Sequence, residues 1–116
     1  MRRLLALAAV FALGNAGVAQ AHAMLDHANP RVGSSVRTAP RELTLWFTQN
    51  LEPSFSTVNV ADASGQRVDA GGARINGSIM RIGLRSLRPG SYRVNWHALS
   101  VDTHRTEGSF SFTVGE

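Results

Sequence analysis

Beyond an amino-terminal apolar run, apolar and polar residues alternate with a period of two. Leu43, Leu45 and Phe47 alternate with Thr44, Trp46 and Thr48. Phe55, Thr57, Asn59 and Ala61 alternate with Ser56, Val58 and Val60. Met80, Ile82 and Leu84 interleave with Ile79, Arg81 and Gly83. Tyr92, Val94, Trp96 and Ala98 interleave with Arg93, Asn95, His97 and Leu99, and Phe110, Phe112 and Val114 with Ser109, Ser111 and Thr113. Successive side chains of a strand point to opposite faces, so this pattern predicts half-buried strands. The breaks between them agree. Pro30 and Gly33 end the first segment, Pro40 precedes the Leu43 strand, and Pro89-Gly90 precedes the Tyr92 strand. Ser64-Gly65 fits a tight hairpin, Gly71-Gly72 marks a further break, and Asn76-Gly77 suits a type I′ turn. Short strands at regular spacing predict an all-β sandwich. No stretch after the apolar run has a helical period, and there is no internal repeat or interdomain linker.

Residues 1–21 have the layout of a cleavable signal peptide. Met1-Arg2-Arg3 is the positive start, Leu4 to Val18 the apolar run, and Ala19-Gln20-Ala21 a small-x-small cleavage site. A membrane-spanning helix needs ~20 apolar residues, and Gly14 and Asn15 interrupt this run. Cleavage after Ala21 leaves a single domain, 22–116, beginning at His22. Without cysteine it has neither disulfides nor a lipid anchor, so packing and backbone pairing must hold it together.

Charge changes the picture little. Arg2 and Arg3 leave with the leader, so ten arginines face eight carboxylate side chains. Lysine is absent. The arginines are spread along the chain, with no basic stripe and no interleaved aromatics, so a nucleic-acid partner is not expected.

The candidate chemistry comes down to histidine. Lack of cysteine excludes thiol catalysis, zinc fingers and type 1 copper sites. There is no G-x-S-x-G elbow, no Walker sequence and no dinucleotide fingerprint. The four histidines are His22, His27, His97 and His104. After processing, His22 carries a free α-amino group beside its imidazole, and the two can chelate one metal. An α-amino group has a reference pKa of about 7.7–8.0, so a strong Lewis acid displaces its proton at little cost. Asp102-Thr103-His104 supplies two more donors. Residues two apart on a strand face the same way, about 7 Å apart, and a bend can bring them to one ion. Two imidazoles, an amine and a carboxylate, without sulfur, suit tetragonal Cu(II). Alone, Asp102-Thr103-His104 reads first as a solvated loop pair, and a histidine at the cleavage point as chance. Together, in a short cysteine-free exported chain, they point to a metal.

The segment from His22 to Pro30, followed by Val32-Gly33, resembles the start of mature CopC copper-resistance proteins. So do Leu45-Trp46-Phe47-Thr48-Gln49-Asn50-Leu51, Pro89-Gly90-Ser91-Tyr92-Arg93-Val94-Asn95-Trp96, Leu99-Ser100-Val101-Asp102-Thr103-His104 and Gly108-Ser109-Phe110-Ser111-Phe112. The likeness runs in order through the mature chain. It implies a Greek-key β-sandwich of about seven strands, of the cupredoxin or immunoglobulin-like kind, in the bacterial periplasm. It implies Cu(II) held by His22, Asp102 and His104, and a monomer that handles copper for trafficking or tolerance, often beside the inner-membrane copper transporter CopD.

The chain departs from the family pattern in places. It lacks a methionine-rich loop: the mature part has only Met24 and Met80, so a Cu(II)-only protein is expected. Gln49 stands where some members carry an acidic residue near the metal, and Met24 where others have a histidine. His27 is read as a surface or supporting histidine, with approach to the metal the alternative. His97 is read as facing away from Tyr92, Val94 and Trp96. Trp46 and Trp96 are expected in the core. Two other functions compete with copper binding. An amino-terminal histidine chelate also resembles the copper centre of polysaccharide monooxygenases, and a small exported sandwich can be a metal-free interaction module.

Overall fold

The computed structural model describes residues 23–115. Eight strands follow one another: β1 (Leu25–Asn29), β2 (Ser35–Val36), β3 (Glu42–Phe47), β4 (Thr57–Asp62), β5 (Asp69–Asn76), β6 (Ile79–Leu84), β7 (Gly90–Leu99) and β8 (Arg105–Val114). They form two four-stranded sheets, in the orders β1-β3-β6-β5 and β2-β8-β7-β4. β2 has only two residues and pairs parallel to β8; every other strand pairing is antiparallel. β4, β5 and β6 follow in sequence while β3 returns beside β6, which is Greek-key connectivity.

The period-two pattern does what it predicts. Leu43, Leu45 and Phe47 of β3 and Met80 and Ile82 of β6 turn inward from the first sheet. Val58 and Val60 of β4, Val94 and Trp96 of β7, and Phe110 and Phe112 of β8 meet them from the second. Each such side chain contributes roughly 1.5–3 kcal/mol by leaving water. Phe47 meets Trp96 edge-on at 5.1 Å between ring centres, and Tyr92 stacks on Phe112 at 5.5 Å. Gly108 pairs directly with Trp96. A Cβ there would lie 2.6 Å from Trp96 Cζ2, so the indole lies across the bare backbone.

Four local expectations change. Phe55 does not begin β4; it closes a 3-10 turn at Pro53–Phe55 and is 63% exposed. Pro53 presets the turn, and extended pairing begins only at Thr57. Gly71-Gly72 does not break the chain. Both lie inside β5, where pairing with β6 is irregular between Ala70 and Arg74, and Gly71 has φ +74°. The β5–β6 hairpin turns on Gly77-Ser78, because Asn76 pairs with Ile79. Of the two central residues only Gly77, at φ +64°, is left-handed, so the turn has the II′ rather than the I′ pattern. Trp46, unlike Trp96, faces outward from the first sheet and is half-buried, because β3 shows its odd-numbered residues to the core.

Strands β3 and β7 end, and β4 and β8 begin, at one end of the sandwich. The Asn50–Glu52 segment braces the β7–β8 loop there. Glu52 N–H donates to the Leu99 carbonyl at 2.8 Å and Val101 N–H to the Asn50 carbonyl at 3.1 Å. Leu51, buried, bridges to Ser100.

Candidate metal centre

The β7–β8 ladder closes on the pair Leu99–Arg105, leaving Ser100 to His104 as the connection. Ser100 N–H donates to the His104 carbonyl at 3.0 Å, and Thr103 N–H to the Ser100 carbonyl at 2.9 Å. Thr103 takes φ 75°, a left-handed conformation that costs a β-branched residue roughly 1–3 kcal/mol. That reversal lets Asp102 and His104 converge. Asp102 Oδ1 lies 3.4 Å from His104 Nδ1, and both side chains are about half exposed. Adjacent corners of a tetragonal ion with ~2 Å bonds lie about 3 Å apart, so the two donors fit neighbouring positions on one metal.

Ser100 organises this loop. It is fully buried, and its hydroxyl donates to Asp102 Oδ1. Ser100 Oγ also accepts from His104 N–H at 3.3 Å. The Ser100 hydroxyl, and after it the neighbouring His104, hold the Asp102 carboxyl below the ordinary carboxylate range, keeping it an anionic donor. No functional role for Ser100 is legible in the sequence. A serine two residues before an Asp-x-His carries no signal until the loop folds around it.

The amino-terminal strand enters at the same end. Thr106 Oγ1 donates to the Ala23 carbonyl at 2.7 Å. Met24 N–H donates to Thr48 Oγ1 at 2.9 Å, and Thr48 N–H to the Met24 carbonyl at 2.9 Å. Ala23 is fully buried. His22 lies outside the described residues. Among the described residues no three His, Asp or Glu side chains gather in a metal-sized group.

The other histidines stand apart from Asp102 and His104. His27 lies on the outer face of the first sheet, stacked on Trp46 at 4.3 Å and 9° between planes, with Nδ1 2.7 Å from Asp26 Oδ2. This contact explains why Trp46 can face outward: the imidazole opposite covers it. His97 points outward from the second sheet, as its register requires, with Nδ1 3.2 Å from Glu107 Oε2. Met80 is fully buried in the core while Met24 is exposed, so the two thioethers form no common site.

A two-sheet sandwich with a nitrogen–oxygen donor pair on one end loop defines a small β-sandwich binding protein. The chain belongs to the CopC family, whose CopC domain model matches residues 25–115. CopC from Methylosinus trichosporium OB3b superposes with a TM-score of 0.76 at 31% identity, over 81% of this chain and 94% of that one. PcoC, a methionine-rich copper resistance protein from Escherichia coli, superposes with a TM-score of 0.71 at 34% identity, over 81% of this chain and 99% of that one. The copper transport protein CutJ of Bacillus subtilis is 31% identical over 100 residues, which cover 83% of this chain and 18% of CutJ.

Proposed function

We propose that the chain is an exported periplasmic protein, processed after Ala21, that binds one Cu(II) through the His22 amine and imidazole, Asp102 and His104. It serves copper trafficking or tolerance. The observation that carries this reading is the hydrogen bond from Thr106 to the Ala23 carbonyl. It ties the residue after His22 to the residue two beyond His104. The donor chemistry agrees: nitrogen and oxygen ligands without sulfur suit a tetragonal Cu(II) ion. With Met80 buried, thioether binding of Cu(I) has no support, and the protein handles Cu(II) alone.

Membership of the CopC family makes this a binding protein and not an enzyme. It acts as a monomer. CutJ carries a matching segment within a much longer chain. That supports a separate inner-membrane copper transporter of the CopD kind as the partner here.

The test is a Cu(II) competition titration with EPR on two proteins, one beginning at His22 and one with an extra residue ahead of it. The first binds one tight equivalent with nitrogen couplings, and the second loses most of that affinity. Equal, weak binding by both would overturn the site and favour a metal-free interaction module. Copper at about a hundred times its Kd should also stabilise the fold by roughly 2.7 kcal/mol, read as a rise in Tm.

A further inference from the structure

Five arginines that are scattered in sequence gather at the end of the sandwich opposite Asp102 and His104. Arg37 follows β2, Arg41 precedes β3, Arg67 precedes β5, and Arg85 and Arg88 lie between β6 and β7. All are exposed. β7 begins at this end and finishes at the candidate metal loop, and its ten residues span about 30 Å. Arg67, Arg85 and Arg88 line an open cleft of about 510 Å³. Arg41 and Arg85 line a second of about 500 Å³ on the other side of the same loop.

The described carboxylates at this end are already engaged. Asp69 pairs with Arg67 through two contacts of 2.7 Å. Asp62 accepts from Ser64 and Gln66 within its own turn. Glu42 pairs with Arg74 and lies 3.8 Å from Arg81. Among the described residues, Arg37, Arg41, Arg85 and Arg88 have no carboxylate partner. The loop that displays two of them is fixed. Arg85 N–H donates to the Val68 carbonyl at 2.8 Å, Leu87 is buried, and the Tyr92 hydroxyl donates to the Arg88 carbonyl at 2.6 Å.

We propose that this arginine end docks the protein on an anionic phospholipid surface and leaves the candidate metal end facing the aqueous compartment. Guanidinium is a planar fork that matches phosphate oxygens with paired hydrogen bonds. A protein partner of standard affinity needs an apolar anchor at the centre of its contact. Of the exposed large apolar side chains, Met24, Phe55 and Val101, at 51%, 63% and 54% exposure, lie at the other end, and Val32, at 56% in the β1–β2 connection, is a single small side chain at this one. What the arginine end offers is unpaired positive charge on a broad surface, which suits a sheet of headgroups. This docking is independent of the copper reading.

The test is co-sedimentation of the protein beginning at His22 with vesicles of phosphatidylcholine alone or with 30% phosphatidylglycerol. Each arginine near such a surface is worth about fivefold in partitioning. Binding should therefore appear with phosphatidylglycerol only, and fall roughly 10- to 30-fold in R85Q/R88Q. Both substitutions leave the backbone contacts of the loop in place. R93Q/R105Q removes the same net charge from elsewhere and should keep most of the binding. Raising NaCl to 0.5 M should abolish it, and equimolar inorganic phosphate at fixed ionic strength should not compete. Equal loss in the two double variants would reduce the effect to net charge and overturn the proposal. So would competition by free phosphate, or equal binding to both vesicles. Capture by polyglutamate without any preference for phosphatidylglycerol would reassign the end to an acidic protein and overturn the lipid docking. Since H104A should not alter vesicle binding, failure here and failure of the copper site remain separate results.

Discussion

The loop at one end of the sandwich holds a histidine 3.4 Å from a carboxylate; the other end holds arginines that mostly have no carboxylate partner. The same strands feed both ends, so the difference lies in the connections. The Ser100–His104 connection is wound tightly on itself through a buried serine and a left-handed threonine. It sets two donors at a metal-compatible spacing, and small displacements would spoil it. The Arg85–Pro89 connection is fixed too, but what it fixes is a display of long side chains. A metal site depends on tenths of an ångström, whereas a charged surface depends on how many charges are presented and how few are neutralised. A rigid scaffold can therefore place two unrelated binding tasks on its opposite loop sets.

Separating the ends experimentally starts with His22. Replacing it by alanine should weaken Cu(II) binding by more than about 100-fold, above the 10- to 100-fold cost of losing an outer hydrogen-bond partner, and leave vesicle binding unchanged. Competition titration reads the first and co-sedimentation the second. A parallel loss of both would mean that the two ends are coupled. Next in size is Gly108→Ala. The added methyl meets the Trp96 ring at 2.6 Å and should cost about 1–3 kcal/mol in urea unfolding. Wild-type stability would mean that the indole is not held against the β8 backbone.

Ser100→Ala should lower Cu(II) affinity about tenfold, because Asp102 loses the hydroxyl that orients it. Unchanged affinity would show that the loop backbone alone sets the carboxylate. At the other end, Asp69→Asn should cost about 1–2 kcal/mol without touching copper. Arg67 holds the Asp69 carboxyl below its ordinary range. A depressed folded pKa stabilises fully above the unfolded value of about 3.9, and that stabilisation is lost as pH falls through the folded one. The gap between wild type and variant should therefore be constant from pH 7 to 5 and close in stronger acid. A gap that widens in acid would have the wrong sign. The smallest effect belongs to His27→Ala, which should leave Cu(II) affinity within about twofold while changing Trp46 fluorescence. A larger loss of affinity would bring His27 into the metal site.

The sandwich, most strand positions, the inward faces and the Asp102–His104 pair are legible in the amino-acid order alone. Those are local matters: alternate burial leaves a period of two, and two donors separated by one residue need only a bend to meet. The sequence also exposed the family, through motifs kept in order along the chain. Tertiary structure alone decided the rest. Trp46 is as apolar as a core residue, yet it stands on the outer face of β3, where a histidine from another strand covers it. Ala23 and Thr106 stand 83 residues apart in the chain and 2.7 Å apart in space. Nothing in the spacing of either predicts that contact, which arises from the packing of β1 and β8 into opposite sheets. The arginines show the same limit most plainly. Spread along the sequence, they carry no pattern, because a Greek key brings loops that are far apart in the chain to one end. Period is written in neighbours along the chain, and proximity between strands is written in topology.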